Sequence, residues 1–254
     1  MTLLVAKNIV KHFDGFCVLD DVSFEVPERS LTGIVGTNGA GKSTLFAVVS
    51  GQLPADAGSV GFAGQDIGQL SPTKRAQRGL GRTFQVPREF GHLTVRENLL
   101  AAAPRAHGET LMSVFFSRRS VAAEDGELGI QADQWIEFLN LQPVAGKPAS
   151  SLSGGQKKLL ELGRVLMLEP KCVLLDEPFA GVNPVLIGEI SDKLRQLNAT
   201  RGIAFVIIEH HLQALKALVE HLYVMDQGRV IADGNPVEIL ADPRVHEAYM
   251  GGVI

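Results

Sequence analysis

Short apolar runs of strand character sit at both ends of this chain, with longer stretches of helical spacing between them. Residues 1–35 read as strands: Val18 to Val26 is rich in β-formers, and Leu31-Thr-Gly-Ile-Val35 is an apolar run entering a glycine-rich turn. Thr44 to Ser50 reads as a helix, ended by Gly51, Pro54 and Gly58. From 86 to 165 the pattern changes. Thr94-Val-Arg-Glu97 has capping-box spacing, in which two side chains satisfy the backbone N–H groups of a helix start. It opens a helix through Leu99, Leu100 and Ala101 to Ala103. Ala132 to Leu141 is a second amphipathic helix and Gly154 to Leu168 a third. Strand-like runs return at Cys172–Leu175 and Ala204–Ile208, nearly all apolar, as strands covered on both faces of a parallel sheet must be. Glu189 to Leu197 is a connecting helix, and Leu222–Met225 and Arg229–Ala232 flank Asp226-Gln-Gly228 as a hairpin. The insert 104–130 is polar and poor in pattern, with Arg118-Arg119 and Glu124-Asp125, and is expected to be a surface excursion.

The pattern predicts an α/β core interrupted by a helical insertion. Residues 1–85 and 166–254 form the core and 86–165 the helical subdomain, together one domain over 1–254. Of 254 residues, 45% are hydrophobic and 20% charged, enough apolar material for a sizeable core. The net charge of -4 gives no basic footprint, so no nucleic-acid partner is expected. Cys17 and Cys172 lie far apart and suggest no disulfide framework; Cys172 reads as a small buried hydrophobe. The first residues are too short an apolar stretch for a signal peptide, and no run approaches the ~18 apolar residues of a membrane span. The chain is therefore expected in the cytoplasm, with any membrane role supplied through a partner.

Gly36, Thr37, Asn38, Gly39, Ala40, Gly41, Lys42 and Ser43, followed by Thr44, match the pattern G-x-x-x-x-G-K-[ST] between a predicted strand and a predicted helix. The glycines let successive N–H groups turn inward as an anion nest, and the helix points its positive end at the same place. Lys42 is expected to reach the β- and γ-phosphates of a nucleotide, and the Ser43 hydroxyl to ligate Mg²⁺. Val173-Leu-Leu-Asp176-Glu177-Pro178 is an apolar strand ending in two carboxylates. Alternation turns them different ways: Asp176 toward Mg²⁺, Glu177 toward an attacking water as general base. Ser153, Gly154, Gly155 and Gln156 open a helix with exposed amides and a hydroxyl, a second candidate anion site.

With Leu152-Ser-Gly-Gly-Gln156 in front of the acidic strand, the chain resembles the ATP-binding cassette (ABC) family over nearly its whole length. The resemblance implies a P-loop NTPase (RecA-like) α/β core with an antiparallel β subdomain and an inserted α-helical subdomain. It implies that two subunits sandwich two ATPs between one P-loop and the other subunit's signature. One copy of each motif is present, so a dimer is implied, of identical or related chains. Phe13 occupies the position of the aromatic that stacks on adenine, with Phe16 a competitor and a core role open for either. Gln85 matches the glutamine that contacts Mg²⁺ and the attacking water, and His210 the switch histidine at the γ-phosphate. His211 is expected to be a solvated neighbour. One position departs from the family: Asn183 stands where most members carry Asp, which puts any role needing a carboxylate there in doubt.

Within the family, Ala180-Gly-Val-Asn-Pro184, Gly81-Arg-Thr-Phe-Gln85, Glu97-Asn-Leu-Leu100, Ile208-Glu-His210 and the long insert are similar to the larger of the two ATPases of branched-chain amino-acid importers. The similarity implies a peripheral subunit on the inner face of the cell membrane. It would energise transmembrane permease subunits beside a second ABC ATPase and serve an extracytoplasmic solute-binding protein indirectly. Two alternatives stay open. One is a lipopolysaccharide-export ATPase, which shares Asp-Glu-Pro-Phe-Ala-Gly-Val but lacks the insert. The other is a non-transport ABC ATPase.

Overall fold

The computed structural model describes residues 1–83, 89–104, 118–243 and 245. β1 (Thr2–Phe13) and β2 (Phe16–Pro27) are joined at Asp14 and Gly15, both at positive φ, the conformation a two-residue hairpin turn requires. With β4 (Ala57–Phe62) and β5 (Gln65–Asp66) they make an antiparallel sheet in the order β2-β1-β4-β5. One face is wet: in β2, Val22, Phe24 and Val26 are buried while Ser23, Glu25 and Pro27 are exposed.

The second sheet has the order β10-β9-β3-β8-β7-β6. Its strands are β3 (Leu31–Gly36), β6 (Leu80–Arg82), β7 (Cys172–Asp176), β8 (Ala204–Ile208), β9 (His221–Asp226) and β10 (Arg229–Gly234). All pair in parallel except β10, which returns along the edge through Gln227 and Gly228. Every residue of β3, β7 and β8 is buried, which is why those runs show no polar alternation. Between β3 and β4, α1 (Lys42–Val49) buries Leu45, Phe46, Val48 and Val49 in a core shared with both sheets. Each such side chain contributes roughly 1.5–3 kcal/mol by leaving water.

The remaining helices are α2 (Pro72–Gln77), α3 (Val95–Ala102), α4 (Arg118–Phe138), α5 (Gly154–Leu166), α6 (Pro184–Arg201), α7 (Leu212–Leu218) and α8 (Pro236–Ile239). The chain separates into two compact units, Met1–Gln85 with Lys171–Ile254, and Val86–Pro170. In the second, α3 begins with the capping box of Thr94 and Glu97, and buried Asn98 ties down the turn before it. The Asn98 amide accepts from Phe90 N–H and donates to the carbonyls of Phe90, Leu93 and Thr94.

Several elements differ from their sequence expectations. The 104–130 insert is not an excursion throughout. From Arg118 it is helical and continuous with the helix expected at Ala132, while residues 105–117 lie outside the described residues. Gly126 and Gly129 interrupt the pattern, but burial of Ala132 and Ile136 and a 2.7 Å ion pair from Arg96 to Asp133 support the helix. The helix expected from Glu189 starts at Pro184, because the Asn183 side chain caps it by accepting from Leu186 N–H at 3.0 Å. Strands β4, β5 and β6 and helices α2, α7 and α8 are not foreseen in the sequence, being short or without clear alternation.

Candidate nucleotide-binding site

Parallel strands bring their carboxyl ends to one edge, the usual place for a ligand in such sheets. Here Ile34 and Asp176 both align with Ile208, and Gly36 aligns with Met225. The glycine loop, the acidic pair and His210 therefore leave adjacent strands at one edge.

The loop after β3 is fixed by close backbone approaches. A Cβ at Gly36 would lie 2.2 Å from the Met225 carbonyl oxygen, and one at Gly41 would lie 2.7 Å from that of Val18. Gly41 also has φ 93°, open only to glycine at low cost. The β9–β10 turn buttresses the loop: Thr37 Oγ1 donates to Asp226 at 3.0 Å, and Gly228 N–H to the Ala40 carbonyl at 3.3 Å. Helix α1 then starts with no side chain capping it. Lys42 is buried, and its Nζ donates to the carbonyls of Gly36 and Thr37, each at 2.8 Å. Burial lowers its pKa, and the charges of Glu177 and Asp176 oppose the shift. Ser43 is exposed at the helix start.

Asp176 is the last residue of β7 and is buried. Its Oδ2 meets Arg82 Nη2 at 3.1 Å, and its N–H donates to Thr83 Oγ1 at 3.3 Å. Arg82 Nη1 also reaches Ser50 Oγ and Gln52 Oε1, both at 3.0 Å, and the guanidinium lies 5.8 Å from the Phe46 ring centre. A largely enclosed cation thus joins the far end of α1 to the carboxylate. Sequence reasoning passed over Arg82. The available signal was a lone cation in a short strand pairing with the acidic one.

Glu177 leaves the strand at φ 52°, so a backbone turn, rather than strand alternation alone, re-aims its side chain. Its N–H donates to the Ile208 carbonyl at 2.9 Å, and its Oε1 lies 3.1 Å from His210 Nε2. Next to His210, Glu209 is 3% exposed. It accepts N–H bonds from Phe179 at 2.5 Å, His210 at 3.0 Å and His211 at 3.4 Å. Burial raises the Glu209 pKa, and those backbone bonds offset the rise only in part. Sequence reasoning misses Glu209 as well, since the word Ile208-Glu-His210 carries only a family likeness.

Phe13 and Phe16 face each other across the hairpin tip, 41% and 77% exposed, so neither is a core residue. Lys11 Nζ lies 5.5 Å from the Phe13 ring centre. His211 is exposed, as expected. Buried Cys172 has its thiol pushed up to about 12 by desolvation, and Cys17 is a free, exposed thiol. Gln85 lies outside the described residues. In the second unit, Ser153 and Gln156 form a complete capping box at α5: Ser153 N–H donates to Gln156 Oε1 at 3.0 Å, and Gln156 N–H to Ser153 Oγ at 3.3 Å. The serine hydroxyl acts there as an acceptor only. Gly154 is exposed, and a Cβ there would meet nothing within 4 Å.

A glycine loop between strand and helix, with a buried lysine and a carboxylate-bearing strand one place further along the sheet, defines a P-loop nucleotide-binding protein. The ABC transporter family matches residues 19–180, and a family described as branched-chain amino acid ATP-binding cassette transporter matches 229–253. The probable branched-chain amino acid transport ATP-binding protein LivG of Methanocaldococcus jannaschii is 42% identical, covering 99% of this chain and 98% of that protein. The lipopolysaccharide export system ATP-binding protein LptB of Escherichia coli K12 is 36% identical, covering 99% and 98%. A crystal structure of an ATP-binding cassette of an ABC transporter in its ADP conformation superposes with TM-score 0.86 at 40% identity, covering 99% of both chains. The chain belongs to the ABC transporter family, as one of its ATP-binding, ATP-hydrolysing subunits. Among the described residues no helix is long and apolar enough to cross a membrane.

Proposed function

We propose that this subunit energises an importer of branched-chain amino acids or related small polar solutes. The observation that carries this reading is the full-length likeness to a branched-chain amino acid transport ATPase, together with the matching C-terminal segment 229–253. The pairing of Glu177 with His210 supports hydrolysis as its chemistry.

In this reading Gly36–Thr44 wraps the phosphates, and Lys42 Nζ turns from the loop carbonyls to the β- and γ-phosphate oxygens. Phe13 stacks on adenine. Glu177 takes a proton from the attacking water, and His210 steadies that carboxylate and reaches the γ-phosphate. Gln85 contacts the metal and the water. Ser153, Gly154, Gly155 and Gln156 bind the nucleotide held by a second ATPase subunit, related or identical.

Mg²⁺ fits the residues present. The Ser43 hydroxyl and Asp176 carboxylate are hard oxygen donors. No group of three or more His, Cys, Asp or Glu able to hold a metal occurs among the described residues, which suits an ion held largely by phosphates. When bound, the ion supplies charge neutralisation between the phosphates.

Helical residues 86–165 pass nucleotide state to permease subunits at the inner face of the membrane, and a solute-binding protein delivers the solute outside. Purification from native membranes in mild detergent, followed by mass spectrometry, tests the assignment. Two multi-span permeases with a second, shorter ATPase are expected. Envelope-lipid export components would favour the second reading, which the 36% likeness to an export ATPase supports.

A further inference from the structure

We infer that Glu209 is a positioning residue for the hydrolytic pair, clasping the segment that carries Glu177 to the one that carries His210. This rests on the reading of Glu177 and His210 above and goes beyond it by naming what sets their separation. Glu177 and His210 follow two neighbouring parallel strands, β7 and β8, whose ladder ends at Asp176 opposite Ile208. Beyond that point the ladder gives no register except the single bond from Glu177 N–H to the Ile208 carbonyl. Glu209 supplies the rest. Its Oε1 holds Phe179 N–H, two residues past Glu177, and its Oε2 holds the N–H groups of His210 and His211.

Three N–H donors converging on one side chain call for an acceptor without competing donors. An ionised carboxylate, with two oxygens and about four lone-pair sites, is the side chain that meets this. Its negative charge also lies beside the start of α7, where the helix dipole favours it. Glutamine has the same shape but turns an NH₂ toward at least one of the three donors. The carboxylate itself does not touch the pair's reacting atoms. It works through the backbone on both sides.

The test uses the full chain in the complex purified from native membranes, with ATP turnover, ADP affinity and folding measured for Glu209→Gln, Glu209→Asp, His210→Ala and the Glu209→Gln/His210→Ala double variant. Small displacements at a reacting centre cost up to about 10²-fold, so Glu209→Gln should lower kcat about tenfold or more while leaving ADP affinity within about twofold. Because Glu209 acts through His210 and Glu177, the double variant should lose no more than His210→Ala alone. If Glu209→Gln does not fold, Glu209→Asp carries the test, since it keeps an acceptor-only group but shortens the clasp. Lowered kcat with unchanged ADP affinity supports the inference. Wild-type kcat in the folded variant, or losses that multiply in the double variant, overturns it. Glu177→Gln is assayed in parallel. Turnover persisting in that variant would sink the hydrolytic reading itself, whereas its loss beside an active Glu209→Gln would sink only the clasp.

Discussion

Helix α1 in the first unit and helix α5 in the second both start from glycine-containing words, yet they are held in different ways. Before α1, Gly41 sits at φ 93° and no side chain caps the first turn. The loop keeps its shape because Val18, Met225, Asp226 and Gly228, all distant in sequence, press on or bond to it. Before α5, Ser153 and Gln156 cap each other within four residues, and Gly154 has open space around it. The first start depends on the folded sheet, so its N–H groups are left for a ligand. The second is locally self-sufficient and would keep its form with little tertiary help. Substitutions should separate these two cases.

The largest effect is expected at the cation behind the first site. Arg82→Ala leaves the nearly buried Asp176 carboxylate without its guanidinium partner, and removing one member of a buried pair costs about 3–5 kcal/mol. Chemical denaturation measures this, and a loss below 1 kcal/mol would show that Arg82 is not what holds Asp176.

A matched pair comes next. At Gly36→Ala the added methyl meets a backbone oxygen that cannot move aside, an overpacking cost of roughly 3 kcal/mol. Gly154→Ala meets nothing and should stabilise by roughly 0.5–1 kcal/mol through a less entropic unfolded chain. Equal shifts in the two variants would erase the contrast between the helix starts.

Among the destabilising changes, the smallest is expected at the cap. Ser153→Ala should cost about 1 kcal/mol, the ordinary value of an N-cap side chain. A null result in thermal unfolding would mean that the Ser153–Gln156 box contributes nothing in solution.

The same contrast explains what was legible in the sequence. Local devices could be read directly: the Thr94–Glu97 box, the Asp226-Gln-Gly228 turn and the apolar runs of β7 and β8 all carry their instructions within a few residues. The glycine loop was legible as a motif, although its buttress from β9 and β10 was not. Arg82 and Glu209 stood inside words used only for family likeness, because their importance comes from partners about 30 to 94 residues away. Asn183 looked like a weakened family position. Folded, its amide oxygen caps α6, a task for which asparagine and aspartate are about equally good. Helix α4 was half hidden because Gly126 and Gly129 break its periodicity, while its support from Arg96 comes from another helix.

The carboxylate turned out of β7 at Glu177 lies 3.1 Å from His210, and the proposed function makes it the hydrolytic base. Single-turnover ATP hydrolysis by the purified complex, with nucleotide binding measured on the same sample, tests it most directly when wild type is set beside Glu177→Gln. The variant should bind ATP as wild type does and lose turnover by about 10²-fold or more, at the lower end of what a positioned base contributes. Undiminished hydrolysis with intact ATP binding would contradict it.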